Sequence, residues 1–179
     1  MNDLKVGLDA WIIQDGNYSD FRAGQEAKFA LAFVGTLAPV HGAGVPTLEP
    51  AEGANYSATG RIVFVHPEVW VCDFGILAYQ RNPPPAWATE GRCAGGDIYL
   101  GVDPFDYFEH LHALSGMPSL QYNFRLARIW LETTPWTGDK FKRRKAGKTS
   151  FREVGQTNAW SDDEGVGHYV LECQYLSRG

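Results

Sequence analysis

Carboxylates and histidines occur together in the segment 103–112, where their spacing could support metal or acid-base chemistry. Asp106 and His110 are four residues apart and Glu109 and His112 are three apart, so each pair would share one face of a helix. Divalent metals bind such pairs, but a site needs a third ligand, and the sequence supplies none at a suitable spacing. The two histidines would lie about 200° apart around the helix and could not serve one site. The sequence therefore predicts no metal and no cofactor, and a metal-assisted hydrolase with a carboxylate/histidine site is kept as an alternative.

Two further sets of carboxylates could do chemistry. Asp97, Asp103 and Asp106 resemble a nuclease cluster in composition, but Asp103 precedes Pro104 and is already explained as the cap of a helix. Asp73 interrupts an apolar run, and a carboxylate buried there would have to be paired or have a shifted pKa. The favoured interpretation is that Asp73 ends a strand and accepts hydrogen bonds from backbone amides.

A basic segment is the strongest anomaly of composition. It holds six of the sixteen lysine and arginine residues of a chain whose formal net charge is -5. These residues are Lys140, Lys142, Arg143, Arg144, Lys145 and Lys148. Such a segment could contact phosphates in a single-stranded nucleic acid, and salt would weaken that binding. The alternative is a solvated hairpin tip, which is favoured because the chain is acidic overall and the segment offers only Phe141 for stacking.

Tryptophans at loops or strand ends are candidates for a partner surface. Trp87 follows a run of three prolines, and Trp136 follows the last strand of the central segment. If they lie near each other they would flank the mouth of a barrel. We expect a ligand or partner surface formed by Trp87, Trp136, Asp73 and His112, with His112 partly buried.

Motifs for covalent catalysis are not found in the sequence. It has no G-x-S-x-G, and its glycine pairs do not precede a helix as a phosphate loop requires. Cys72, Cys93 and Cys173 each lie in a strand-like context without C-x-x-C spacing, which predicts buried, reduced thiols. Binding is therefore favoured over catalysis.

One helix is predicted, at about 104–114. Asp103 caps it, Asp106 adds negative charge to its first turn, and Ser115 and Gly116 end it. The sequence indicates that a strand precedes it, at Asp97–Val102.

The strand after this helix carries a phase slip. Tyr122, Phe124 and Leu126 alternate with polar residues, and the apolar phase then moves to Ile129 and Leu131, as a β-bulge would produce.

Other segments alternate as strands do. The sequence predicts strands at 4–12 and 26–33, and a two-sided apolar pair at 61–65 and 69–74 that is split at the Pro67 turn. The remaining segments, 150–160 and 167–176, predict a C-terminal hairpin over 150–177.

These elements predict a mainly β fold, a curled antiparallel small barrel with one short capped helix. The order of strands from Glu26 to Thr134 resembles the five-stranded oligonucleotide/oligosaccharide-binding (OB) barrel, although the helix falls after the fourth strand where that fold has it after the third. A β-sandwich is the alternative. The 179 residues are expected to form a single domain, 1–179, with a barrel core at 25–135.

Length and composition limit the classes of protein. A hydrophobic content of 44% indicates a folded chain, and no apolar run reaches the roughly 18 residues of a membrane span. The start of the sequence lacks the features of a secretory signal, so we expect a soluble, cytoplasmic protein without membrane contacts. The sequence favours a non-catalytic binding protein with a protein partner, and nucleic acid is the alternative partner. It does not indicate an oligomeric state.

Overall fold

Strands form most of the chain in the computed structural model, which describes residues 3–42, 44–137, the backbone of 144–145, and 148–179. The strands are β1 (Leu4–Asp9), β2 (Glu26–Pro39), β3 (Thr47–Pro50), β4 (Asn55–His66), β5 (Val69–Asp73), β6 (Leu77–Gln80), β7 (Cys93–Val102), β8 (Gln121–Glu132), β9 (Trp136–Thr137), β10 (Arg144–Lys145), β11 (Phe151–Val154) and β12 (His168–Arg178). The helices are α1 (Ala10–Gln14) and α2 (Asp106–Glu109), with 3₁₀ turns at Leu111–Ala113 and Asp162–Gly165. The prediction of a mainly β fold is confirmed.

The main sheet bends into two rings of hydrogen-bonded strands that share β2 and β7. In the first ring β2 is followed by β7, β1, β12 and β8, and β8 pairs with β2 again. In the second ring β2 is followed by β7, β4, β5 and β6, and β6 pairs with β2. These pairings are antiparallel except β1–β7 and β2–β6, which are parallel. The curled arrangement that the sequence predicts is therefore present, in a sheet of mixed direction.

Each ring closes at a narrow parallel contact. Gly7 of β1 is the register partner of Gly101 of β7, and Ala32 of β2 is the partner of Tyr79 of β6. At the first contact the ring of Tyr99 lies over Gly7, and a Cβ placed there would be only 1.6 Å from the Tyr99 hydroxyl oxygen. Glycine at position 7 thus makes room for an aromatic ring that covers the junction.

Alternate residues of the strands fill the interior of the first ring. Val6 and Leu8 of β1 are buried, as are Leu171 of β12 and Leu126 of β8. Aromatic side chains pack inside both rings of strands. Phe29 stacks on Phe124 with ring centroids 4.8 Å apart, and Phe33 contacts Trp70 and Phe74 edge to face, at 5.4 Å each.

Two details of the strands agree with the sequence. In the β8–β12 pair, Arg128 faces Glu172 and Leu126 faces Cys173, so Ala127 is an extra residue at the predicted phase slip. β4 and β5 pair antiparallel across the turn at Pro67, also as predicted.

The predicted helix at about 104–114 is shorter than three turns. The single turn of α2 begins after Phe105, whose backbone is left-handed (φ 77°), and the α-helical conformation ends at His110 (φ -132°, ψ -50°). A 3₁₀ turn follows, so the amphipathic pattern of this segment is not continued as one helix.

Two predictions about strands are wrong. The first strand ends at Asp9. Residues 10–14 form α1, because in a helix Ala10, Ile12 and Ile13 lie on one face that is buried against the core. The hairpin at 150–177 does not form, because β11 and β12 pair with opposite edges of β8, which lies between them. Both segments therefore form their backbone hydrogen bonds with the same long strand, β8.

The rings are not confined to the 25–135 segment that was expected to form the barrel core. β1 and β12 lie outside it and belong to the first ring, together with β8. None of the helices in the described part of the chain is long and apolar enough to cross a bilayer.

Replacing Gly7 with alanine should destabilise the protein by about 1–3 kcal/mol, because the new methyl group takes the space of the Tyr99 ring. The free energy of unfolding, measured by urea denaturation, checks this. In a Tyr99→Ala background the same change should cost much less, since the ring is absent. Gly155→Ala is the matched control and should change stability by less than about 0.5 kcal/mol, because no atom lies within 4 Å of a Cβ there. Equal costs at positions 7 and 155 would contradict the described closure.

Candidate functional site

A hollow lies on the outer face of the first ring, where side chains of four strands point away from the core. The register places Val170 of β12 between Gly7 of β1 and Trp130 of β8, and Phe151 of β11 beside Glu132. We call this feature the outer hollow. It has a volume of about 220 Å³ and is lined by Lys5, Gly53, Trp130, Phe151, Val170 and Glu172.

The loop before β4 reaches the hollow through Gly53. Its backbone is left-handed (φ 63°), and an added Cβ would lie 3.3 Å from the Phe151 ring and 3.8 Å from Val170. Glycine is therefore suited to this position for both its conformation and the close contact.

Trp130 lines the hollow and carries an unused hydrogen-bond donor. The indole is half-buried, and its Nε1 is fully buried without a hydrogen-bond partner among the described residues. A buried donor left unpaired costs about 1–3 kcal/mol, so a ligand atom that accepts this bond would recover free energy.

The rim of the hollow is charged. Glu172 lies 4.0 Å from the Lys5 ammonium and 3.8 Å from the Arg128 guanidinium, and both cations are partly exposed. Exposed ion pairs contribute little to stability. Their consequence here is a polar edge around an aromatic and aliphatic floor.

A chain of polar side chains continues along the same face. His168 donates from Nδ1 to the Asp9 carboxylate at 2.7 Å, and its Nε2 lies 3.4 Å from the Tyr99 hydroxyl. Burial is the main cause that raises the pKa of Tyr99, with the charges of Asp9 and Glu132 adding to it, so the hydroxyl stays protonated. A carboxylate that orients a histidine is the arrangement of general-base dyads. In this protein the other ring nitrogen of His168, Nε2, faces the Tyr99 hydroxyl.

Sequence reasoning missed this outer face because its parts are distant in the chain. Asp9 and His168 are separated by 159 residues and meet only through the β1–β12 register. Neither residue lies in a motif, and the one signal was the alternation that directs Asp9 and Lys5 away from the core.

The residues expected to form one ligand surface lie in separate places. Trp87 is partly buried and packs edge to face on Trp70, with ring centroids 6.2 Å apart. Trp136 donates from Nε1 to the Asp163 carboxylate at 2.9 Å.

Asp73 and His112 were the other members of that surface. Asp73 ends β5 and accepts a hydrogen bond from the Gly75 amide at 2.8 Å, as the strand-end interpretation predicts. His112 is exposed, contrary to the expectation of partial burial, and donates from Nδ1 to the Tyr107 carbonyl at 3.1 Å. Asp73 also lines a pocket at the end of the first ring, and neither Trp87 nor His112 belongs to the lining of that pocket.

The basic segment is described only in part. β9 and β10 pair with Trp136 facing Lys145, beyond the end of the β8–β11 pair. Lys148 is exposed. Lys140, Lys142 and Arg143 lie outside the described residues, as do the side chains of Arg144 and Lys145.

The carboxylates near α2 do not converge. Asp97 is exposed on β7, and Asp106 pairs with Arg81. His110 lies 3.7 Å from Glu109 instead of Asp106. Across the described ranges, no three His, Cys, Asp or Glu side chains come together as a metal site would require. The three cysteines are buried thiols, as predicted.

Asp103 is completely buried where β7 meets α2. Its carboxylate accepts hydrogen bonds from the Tyr79 hydroxyl and, at 3.2 and 3.3 Å, from the Tyr107 amide. Asp103 therefore accepts a hydrogen bond from an amide of the first turn, as predicted, but the N-cap position of α2 is Phe105 and not Asp103. Burial is the largest influence on this group and raises the pKa of Asp103 to about 6, although both hydrogen bonds act in the opposite direction.

Asp103 should make the protein less stable as pH rises from about 4 to about 6. The native state holds the proton more tightly than the unfolded chain, whose carboxyl has a pKa of 3.8, so up to about 3 kcal/mol of stability is lost across this range. Asp103→Asn retains an acceptor and cannot ionise. The difference in unfolding free energy between the two proteins should therefore shift in favour of the variant as pH rises. A difference that is constant from pH 4 to pH 7.5 would contradict this assignment.

Comparison of the chain with protein-family models, with curated proteins and with solved structures finds no match.

Proposed function

We propose that this protein is a non-catalytic binding protein whose outer hollow receives an apolar side chain of a protein partner. The observation that carries the proposal is the buried Nε1 of Trp130, which has no partner among the described residues, beside the apolar surfaces of Phe151 and Val170. A partner side chain would cover the apolar surface, and a small rotation of the Trp130 indole would bring Nε1 to the hollow, where a carbonyl oxygen of the partner would accept its hydrogen bond.

The size of the hollow supports a side chain over a cofactor. Sites for drug-sized ligands are commonly 300–1,000 Å³, and the outer hollow has about 220 Å³. That volume suits one large side chain. Aromatic pockets of this kind are where interface binding energy concentrates, and tryptophan is enriched among such residues.

The surroundings of the hollow also fit an interface. Lys5, Arg128 and Glu172 form a polar rim around the apolar floor, as is usual for protein–protein contacts. The opposite signs on this rim favour a partner segment that carries both a carboxylate and a cation near its apolar anchor.

The alternatives have less support. The proposal of a single-stranded nucleic-acid binder rests on the basic segment, which lies mostly outside the described residues. For a metal-assisted hydrolase at α2, the carboxylates and histidines are engaged in separate pairs. An OB-like origin of the curled rings remains a proposal about the fold and does not by itself indicate a ligand.

A displayed library of random peptides, selected on the intact protein, tests this function. We expect enriched peptides with an aromatic or large aliphatic anchor, and replacing Phe151 with alanine should weaken their binding by about tenfold or more. Trp130→Phe keeps the ring and removes the N–H, so it should weaken binding by a smaller factor. Fluorescence anisotropy of labelled peptides measures both effects.

Trp160→Ala is the matched control, because that side chain is 72% exposed and does not line the hollow. It should leave peptide binding unchanged. Peptides that bind the Phe151→Ala and Trp160→Ala variants equally well, or a selection that enriches none, would refute the proposed role of the outer hollow.

A further inference from the structure

A second concave site lies at the end of the first ring, away from the outer hollow. It has a volume of about 240 Å³, and its lining includes Asp73, Ile76, Leu77, Tyr122, Tyr175 and Arg178. The turn between β5 and β6 forms one wall, and the end of β12 forms the other. We call it the end pocket.

A β-bulge near the end of β12 brings the two β12 side chains of the pocket together. Tyr175 faces Phe124 and Arg178 faces Tyr122, while Leu176 is an extra residue between these pairs. In a regular strand, residues 175 and 178 would point to opposite faces of the sheet. The bulge turns Arg178 to the face of Tyr175, and bulges of this kind often direct side chains at functional sites.

Tyr175 offers a rigid, accessible ring. It is 40% exposed, and it contacts Tyr122 and Phe124 edge to face at 6.0 and 6.3 Å. Tyr122 is itself held, because its hydroxyl accepts from the Leu77 amide at 2.8 Å and donates to the Leu77 carbonyl at 3.2 Å. The ring of Tyr175 is therefore supported from behind while part of its surface faces solvent.

Polar groups of opposite charge flank this ring. Asp73 uses one carboxylate oxygen for the Gly75 amide, which leaves its other oxygen able to accept. Arg178 donates from Nε and Nη2 to the Ser119 carbonyl, which fixes the guanidinium and leaves Nη1 able to donate. At Gly75 no atom lies within 4 Å of an added Cβ, so this wall is open.

We infer that the end pocket binds a neutral pyranose sugar. The C–H face of the sugar would stack on Tyr175, and its hydroxyl groups would donate to Asp73 and accept from Arg178. Asp73 and Arg178 balance in charge, so the pocket favours an uncharged ligand over an anion. A nucleotide phosphate would also meet a chain of net charge -5.

Saturation-transfer NMR with the methyl glycosides of glucose, galactose, mannose and N-acetylglucosamine tests this inference. We expect at least one of them to bind the intact protein with a Kd of about 1 mM, with saturation concentrated on one face of the sugar ring. Tyr175→Ala should weaken that binding about tenfold, because the stacking surface is removed. Tyr175→Phe keeps the ring and should bind nearly as well as the wild type.

Leu176→Ala is the control, because Leu176 is similarly exposed at 41% and does not line the pocket. Should Tyr175→Ala fail to fold, Arg178→Gln replaces it and is also expected to reduce binding. The inference fails if none of the four glycosides binds, if the loss is equal for Leu176→Ala, or if guanosine binds at the pocket in preference to every sugar. Peptide binding at the outer hollow should not change in the Tyr175 and Arg178 variants, so the two sites can fail independently.

Discussion

The two long strands β2 and β7 pair with each other along one edge. Along its other edge, each of them must form hydrogen bonds with two different neighbouring strands. While β2 and β7 pair with each other over residues 31–39 and 94–102, β2 turns its other edge to β8 at 26–30 and to β6 at Ala32. In the same way β7 pairs with β4 along most of its length and with β1 at Gly101. This change of neighbours divides one sheet into two rings, and the other elements follow from it.

Glycines permit the curvature that this division requires. A Cβ at Gly35 would lie 2.4 Å from the Asp97 carbonyl oxygen, and one at Gly96 would lie 2.5 Å from the Thr36 carbonyl oxygen. Gly95 and Gly96 lie in the part of β7 that pairs with β2, opposite Ala38 and Leu37. Bulges and glycine bends are the usual means by which a sheet is curled.

Both candidate sites lie where side chains of the curled sheet are not covered by another layer of secondary structure. The outer hollow is on the face of β1, β12, β8 and β11 that points away from the core, and the end pocket is where β12 passes the turn between β5 and β6. In the interior, apolar side chains pack against one another, whereas charged and aromatic side chains lie side by side at these two places.

Local features of the structure could be predicted from the sequence, and long-range ones could not. The bulge at Ala127, the turn at Pro67 and the roles of Asp73 and Asp103 each depend on a few neighbouring residues. Ala10 and Ile12 fit the strand period as well as the helix period, so the sequence predicts a strand where the first turn of α1 forms.

The strands β3 and β6 and both candidate sites were missed for a different reason. β6 is only four residues long, and its extended conformation is stabilised by hydrogen bonds to the neighbouring strands β5 and β2. The lining of the outer hollow comes from four strands and one loop, so its composition depends on registers that no local pattern contains.

Inter-strand nuclear Overhauser effects at the two parallel contacts test the central claim most directly. In a ¹³C,¹⁵N-labelled sample, backbone protons near Gly7 should show cross-peaks to those near Gly101, and protons near Ala32 should show cross-peaks to those near Tyr79. Cross-peaks at both contacts are the predicted result. If assigned spectra lack them at either contact while the antiparallel β2–β7 cross-peaks are present, the sheet is open there and the two-ring account is contradicted.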